Sequence, residues 1–395
     1  MQELCCLQIR QGCRQKQSAA RKRLCKYWCR FICRFAAAVA CTFRQQQGAY
    51  MQFTVITDEE TFASMGAEWN ALLEKSAIRV PFLRHEYLFS WWETRGGGEW
   101  PQASLYIVTA RDAEGRLQGI APLFRAPDED GQGSRLLFLG SVEISDFLDF
   151  LTPAETLPDF VHALFDYLIQ QPEAWQAFDA FNLLEDSPSL ALLEAQAQAR
   201  GWRFRRERLQ PAPRVALPDS WEAYLAGIKK KQRHEIRRKV RRAENDSRSV
   251  RWYIVEDEAS LDAEMDAFLR LMAYDPQKDA FLTEVMRSQM RRMVHAAFQA
   301  GWLQLAFLEV DGEKAAAYLN LDFDNQIWVY NSGLNANYRD LSPGWVLLSY
   351  LIQWAIANGR TAFDFMRGDE DYKYRFGGQD RFVWRARLTR SAGAP

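Results

Sequence analysis

The chain has 395 residues, 48% hydrophobic and 26% charged, with a formal net charge of −1. This is the composition of a globular protein with core for about two domains, and it excludes a disordered or fibrous chain. The charge is uneven: residues 1–50 carry ten Lys or Arg against the single acid Glu3, so the remainder is mildly acidic and has no global pull toward nucleic acid or anionic lipid.

All seven cysteines fall in the first 41 residues: Cys5, Cys6, Cys13, Cys25, Cys29, Cys33 and Cys41. Among them run Arg and Gln without an amphipathic period. Residues 1–50 are therefore expected to be a non-native or mis-called, disordered extension, with Met51 opening the folded body. A targeting segment is the alternative, since "FICRFAAAVACTF" at 31–43 is apolar but broken by Arg34. The Cys spacings lack the paired pattern of a zinc site. After Cys41 no disulfide, thiolate ligand or catalytic cysteine is available. No apolar run approaches 18 residues, and a cytoplasmic protein without a membrane span is expected. His85, His162, His234 and His295 are scattered, and no metal is expected.

In chain order, residues 58–76 repeat apolar positions at helical steps (Phe62, Met65, Trp69, Leu72, Leu73). A second helix follows Pro81 and ends at Gly96–Gly98. Two strands surround the turn Asp112–Gly115. Then come a strand in "LLFLG", a helix at 157–171, the strand "FDAFNLL" and a helix at 189–200. Pro211, Pro213 and Pro218 mark a junction. Beyond it the same order returns: a long helix at 220–245, the strand "VRWYIV", helices at 258–273 and 280–300, a hairpin turning at Asp311–Gly312, the strand "QIWVYNSGL", a helix at 343–358 and the strand "TAFDFM". This predicts two α/β domains of similar plan, 51–215 and 216–395.

Chemistry concentrates in 326–377. Ser342, Pro343 and Gly344 read as a helix start, with Ser342 at the N-cap. Free N–H groups, the positive dipole end and Arg339 together suit a pyrophosphate. Downstream, "FDFMRGDEDYKYRFGG" puts Asp364 between two Phe and then gathers Arg367, Asp369, Glu370, Asp371, Tyr372, Lys373 and Tyr374. Carboxylates there can act as base, and Tyr or Lys can donate to an oxyanion or thiolate.

This run resembles the CelD-like branch of the GNAT acetyltransferases, whose "DF-x-RG-x-E-x-YK-x-x-G" pattern is matched by Asp364, Phe365, Arg367, Gly368, Glu370, Tyr372, Lys373 and Gly377. The resemblance implies an α/β (α+β) architecture of two tandem GNAT-like domains, as in Fem-type transferases, with mixed, mostly antiparallel sheets flanked by helices. It implies acetyl-CoA or another acyl-CoA as donor and a small-molecule or saccharide amine as acceptor. Arg339, Ser342 and Gly344, with Asn331 and Arg367, are the expected donor-binding residues, although this loop departs from the usual Gln/Arg-x-x-Gly-x-Gly/Ala form. Direct attack by the amine needs a base, for which Asp364 or Glu370 is expected, and an acid for the leaving thiolate, for which Tyr372 or Tyr374 is expected. Lys373 joins the catalytic candidates. The N-terminal domain is expected to be a degenerate partner that walls the acceptor site.

Residues 229–242 hold nine Lys or Arg and His234 against Glu235. Leu225, Ile228, Ile236, Val240 and Ala243 give this stretch a narrow apolar stripe, which favours a solvated helix. Two other functions remain open: a Fem-like transferase that meets aminoacyl-tRNA through this helix, and a non-catalytic protein that holds a polyanion there.

Overall fold

A computed structural model describes residues 51–129, 131, 133–172 and 175–390. The Cys-rich extension at 1–50 lies outside the described residues. Up to the proline-marked junction the order is β1 (Gln52–Ile56), α1 (Glu59–Ser64), α2 (Gly66–Leu73), α3 (His85–Glu93), β2 (Ser104–Leu105), β3 (Ile107–Arg111), β4 (Leu117–Ala121), β5 (Leu123–Pro127), β6 (Ser134–Phe138), α4 (Leu157–Ile169), β7 (Ala177–Leu184), α5 (Ser189–Ala199) and β8 (Arg203–Pro211). After it come β9 (Arg214–Ala216), α6 (Trp221–Gly227), α7 (Lys230–Glu244), β10 (Val250–Ile254), α8 (Leu261–Met272), α9 (Pro276–Phe281), α10 (Glu284–Gln299), β11 (Leu303–Val310), β12 (Glu313–Phe323), β13 (Gln326–Leu334), α11 (Pro343–Ala357), β14 (Ala362–Asp364), α12 (Asp371–Arg375) and β15 (Phe382–Thr389).

The strands form a small sheet, β1-β3-β4, and two six-stranded sheets, β2-β5-β6-β7-β15-β8 and β10-β11-β12-β13-β14-β9. Each large sheet has one parallel pair, β6 with β7 and β13 with β14, and each pair is joined by a crossover helix, α4 or α11. All other named pairings are antiparallel. The mixed, mostly antiparallel sheets expected from the sequence are thus present in both halves.

The division 51–215 and 216–395 is crossed by the last strand. β15 inserts between β7 and β8, 200 or so residues upstream, so the C-terminal stretch completes the first half's sheet. Sequence reading assigns neither β15 nor β8. β8 is rich in Arg and mostly exposed, so it lacks an apolar face to mark it.

Local chemistry explains most element ends. Asp58 caps α1 by accepting from the Thr61 N–H at 2.8 Å. Asp311 and Gly312, both at positive φ, close the β11–β12 hairpin with the twist such a turn requires. The expected long helix at 220–245 is two helices, α6 and α7, parted at Ile228, where the backbone is extended. The apolar stripe on them behaves as expected: Leu225, Ile228, Ile236 and Ala243 are buried in one core with Leu347, Leu351 and Phe363. Each of the buried Leu, Ile and Phe side chains contributes about 1.5–3 kcal/mol by leaving water, and Ala243 less. This packing fixes α7 beside α11 and so determines where its cations can reach.

Candidate active site

β13 and β14 pair only from Gln326 to Trp328, against Ala362 to Asp364, and then part. Just past the parting, β13 carries a bulge. Leu319 faces Asn331 and Asn320 faces Val329, so Tyr330 is the extra residue. A bulge at this point bends the strand and re-aims its side chains.

Two cavities flank the free end of β13. The first, of about 510 Å³, lies between Val329–Ser332 and the chain leaving β14 (Phe365, Met366, Arg367), with Glu370, Tyr372 and Lys373. Its far wall comes from the first half, through Glu143, Asp146, Phe181 and Glu207–Gln210. The second, of about 480 Å³, lies between Ser332–Ala336 and the start of α11, with Arg339, Ser342, Pro343, Gly344 and Trp345. Lys278 and Ser332 line both cavities, so the two meet there.

The second cavity gathers Arg339, Ser342 and Gly344 as the sequence suggests, but not by the expected cap. Ser342 is left-handed (φ 53°, ψ 52°), and its hydroxyl does not cap α11. The Lys239 ammonium donates to Ser342 Oγ at 2.9 Å and lies 4.6 Å from the Trp345 ring centre. Lys239 belongs to the basic helix α7. One residue of that helix therefore faces the cavity, while Lys230, Lys231, Arg238, Arg241 and Arg242 are exposed. Burial pulls the Lys239 pKa down. A Cβ at Gly344 would stand 2.7 Å from the tip of the exposed Leu334 side chain, which would have to turn aside.

Around the first cavity the candidates divide. Tyr372 lines it, and its hydroxyl has no hydrogen-bond partner among the described residues. Burial holds its pKa well above the usual phenol value, so the proton stays on. Glu370 lines the same cavity with an exposed carboxylate 2.9 Å from Lys373 Nζ. Lys373 is buried and donates to the carbonyls of Met366 (3.2 Å), Arg367 (2.6 Å) and Gly368 (3.3 Å), so its donors are spent holding the turn.

Three expected residues are engaged elsewhere. Asp364 is fully buried, lines neither cavity, accepts from the Met366 N–H at 2.9 Å and is ion-paired with Arg381. Burial raises its pKa despite Arg381 and Arg214. Arg367 lines the first cavity and lies outside the second; its guanidinium is taken by Asp146, Asn182 and the carbonyls of Val142 and Glu143. Tyr374 donates to Asp380 at 2.8 Å and lines neither cavity. Asn331 is present, but its Oδ1 accepts from Lys278 Nζ at 2.9 Å and from the Ser332 N–H at 2.8 Å.

Sequence reading misses Lys278, Lys239 and Tyr330. Lys278 sits one turn into α9, behind the Asp275 cap and Pro276, where nothing local marks it as inward-facing. Among the described residues no group of three or more His, Cys, Asp or Glu could hold a metal ion, and no helix is long and apolar enough to cross a membrane.

No curated protein matches the sequence significantly. Among solved structures the chain is similar to FemX, at 13% identity and TM-score 0.58, over 84% of this chain and 97% of that one. It is similar to a conserved protein of unknown function from Bacteroides thetaiotaomicron VPI-5482, at 13% identity and TM-score 0.56, over 85% and 100% of the two chains. It is also similar to L-PGS from Bacillus licheniformis, at 13% identity and TM-score 0.51, over 81% and 90%. At such identity the likeness is one of fold. Residues 230–374, from the basic helix through the Tyr372 turn, match the family described as an acetyltransferase (GNAT) domain.

Proposed function

We propose that the chain is an acyl-CoA-dependent N-acyltransferase, in which an amine attacks the thioester directly. The observation that carries this reading is the parting of β13 from β14, with a cavity on each side of the opening and a junction at Ser332. The second cavity suits the donor's phosphates, through Lys239, Arg339 and the start of α11. The first suits the acceptor and has carboxylates along its wall. Glu370 is the proposed base and Tyr372 the proposed acid for the departing thiolate. Lys373 positions the turn that carries both. Asp364 and Arg367 have structural parts in this proposal. The match of Asp364 to Gly377 with the CelD-like pattern supports placing the chain in that branch.

The test is thermal unfolding of the chain with acetyl-CoA and longer acyl-CoAs. Binding to the folded state raises the midpoint. A rise with one donor supports the reading and names the acyl class; no rise with any donor sinks it. A second reading, transfer from aminoacyl-tRNA, is favoured by the exposed cations of α7. A gel shift with charged tRNA that weakens with salt would support it, and no shift at low salt would end it.

A further inference from the structure

Lys278 is the group in the site that neither the phosphate cavity nor the base–acid pair accounts for. Its Nζ donates to Asn331 Oδ1 at 2.9 Å and to the Ser332 carbonyl at 2.5 Å. Both acceptors lie on the free end of β13, beside the Tyr330 bulge, and Lys278 lines both cavities at their junction. A neutral amine has two N–H bonds and one lone pair. In that form, which burial favours, the two acceptors take both hydrogens and leave the lone pair at the remaining tetrahedral position; in the ammonium form the same position carries the third N–H. Burial pulls the Lys278 pKa down, against the opposing pull of Asp275 and Glu370. Among the described residues no other lysine lines both cavities: Lys239 lines only the second, and Lys373 lines the first with its donors on three carbonyls.

We infer that Lys278 is an internal acyl acceptor, modified by the chain's own donor when no amine substrate fills the first cavity. The inference rests on the acyl-CoA reading above. In the step, the Nζ lone pair attacks the thioester carbonyl carbon and a C–N bond forms. The C–S bond breaks, and CoA leaves as a thiolate that takes the proton lost by nitrogen. The products are an amide on Lys278 and free CoA thiol. Acyl-Lys278 keeps one N–H and loses its basicity, so it cannot hold both β13 acceptors, and its acyl group fills the junction. The modified chain is therefore closed to further donor.

The experiment incubates the full chain with each acyl-CoA, without acceptor, and follows each lysine by peptide mass. Acylation of Lys278 is expected about ten times faster than that of exposed Lys229, Lys230 and Lys231, because the donor is held at the site. Urea-unfolded chain should lose that preference. Lys278→Arg should abolish the fast modification while keeping its donor-free unfolding midpoint. A donor that raises the midpoint yet leaves Lys278 unmodified, or modified no faster than the exposed lysines, overturns this inference and spares the transferase reading. No midpoint rise with any donor overturns both.

Discussion

Arg367 and Asp146 meet at two points: the Arg367 backbone N–H donates to Oδ2 at 2.8 Å and its Nε to Oδ1 at 2.9 Å. Their side chains are only 13% and 17% exposed. The pair ties the turn after β14 to the loop after β6, and so joins the two walls of the first cavity. Removing one partner leaves a mostly buried charge without its counter-ion. Arg367→Ala and Asp146→Ala should each lower unfolding free energy by about 3 kcal/mol. In urea melts the double variant should lose less than the sum of the two. Because Arg367 does not reach the second cavity, Arg367→Ala should leave donor affinity nearly unchanged. A large loss of donor affinity in a folded variant would return Arg367 to the phosphate site.

Lys239 and Arg339 should behave in the opposite way. Both line the second cavity, and Arg339 has no side-chain partner among the described residues. Lys239→Gln and Arg339→Gln should each weaken acyl-CoA binding about tenfold, the scale of one charge-assisted contact to phosphate. Titration calorimetry at low and high salt checks this. The variants should show a shallower salt dependence than the parent, because each removes one cation from the site.

The contrast between these pairs shows what the sequence can and cannot disclose. The alternation of Phe363, Asp364 and Phe365 correctly puts the carboxylate on a different face from the rings, and both rings are buried in the core. It cannot say what that face meets. The partner, Arg381, lies just before β15, in a stretch that enters the sheet of the other half. Beyond Asp364 the alternation itself fails, because Met366 (φ 61°) and Gly368 (φ 114°) are both left-handed and re-aim the chain. That is why Arg367 faces the first half while Glu370 and Tyr372 face the cavity. The helix start at Pro343 was legible from local propensity. The lysine that takes the Ser342 hydroxyl comes from 103 residues upstream, and only the stripe packing α7 on α11 brings it there.

A buried carboxyl in the first half offers a pH test of the fold. Asp149 is fully buried, accepts from the Ser187 and Ser189 hydroxyls and from the Phe150 N–H, and burial lifts its pKa from 3.8 to about 6. Between those values the folded chain holds a proton that the unfolded chain has lost. Stability from this group is therefore fully present at lower pH and falls as pH rises toward about 6, by roughly 3 kcal/mol in all. Asp149→Asn keeps a polar group there but cannot titrate. The difference between parent and variant unfolding free energies should slope across that window and flatten above it. A difference that is flat from pH 4 to 7 would contradict the raised value.

Tyr372 carries the sharpest kinetic expectation. Its ring packs edge-on to Phe365, with centroids 6.0 Å apart, which fixes its direction. The residue lines the first cavity, its hydroxyl has no hydrogen-bond partner among the described residues, and burial keeps it protonated. A phenol held protonated can hydrogen-bond to the thiolate as the C–S bond breaks, and general-acid assistance of this kind contributes about 10²–10⁴ in rate; the raised pKa works against full proton transfer. Tyr372→Phe removes only the hydroxyl and keeps the ring packing. Donor affinity and the unfolding midpoint should then stay near those of the parent, while CoA thiol release with an amine acceptor falls about a hundredfold or more. A purely structural tyrosine would show the reverse, a lower midpoint with release per folded molecule unchanged. The two outcomes separate in one set of measurements, thiol release by colorimetric titration alongside a melt of the same sample.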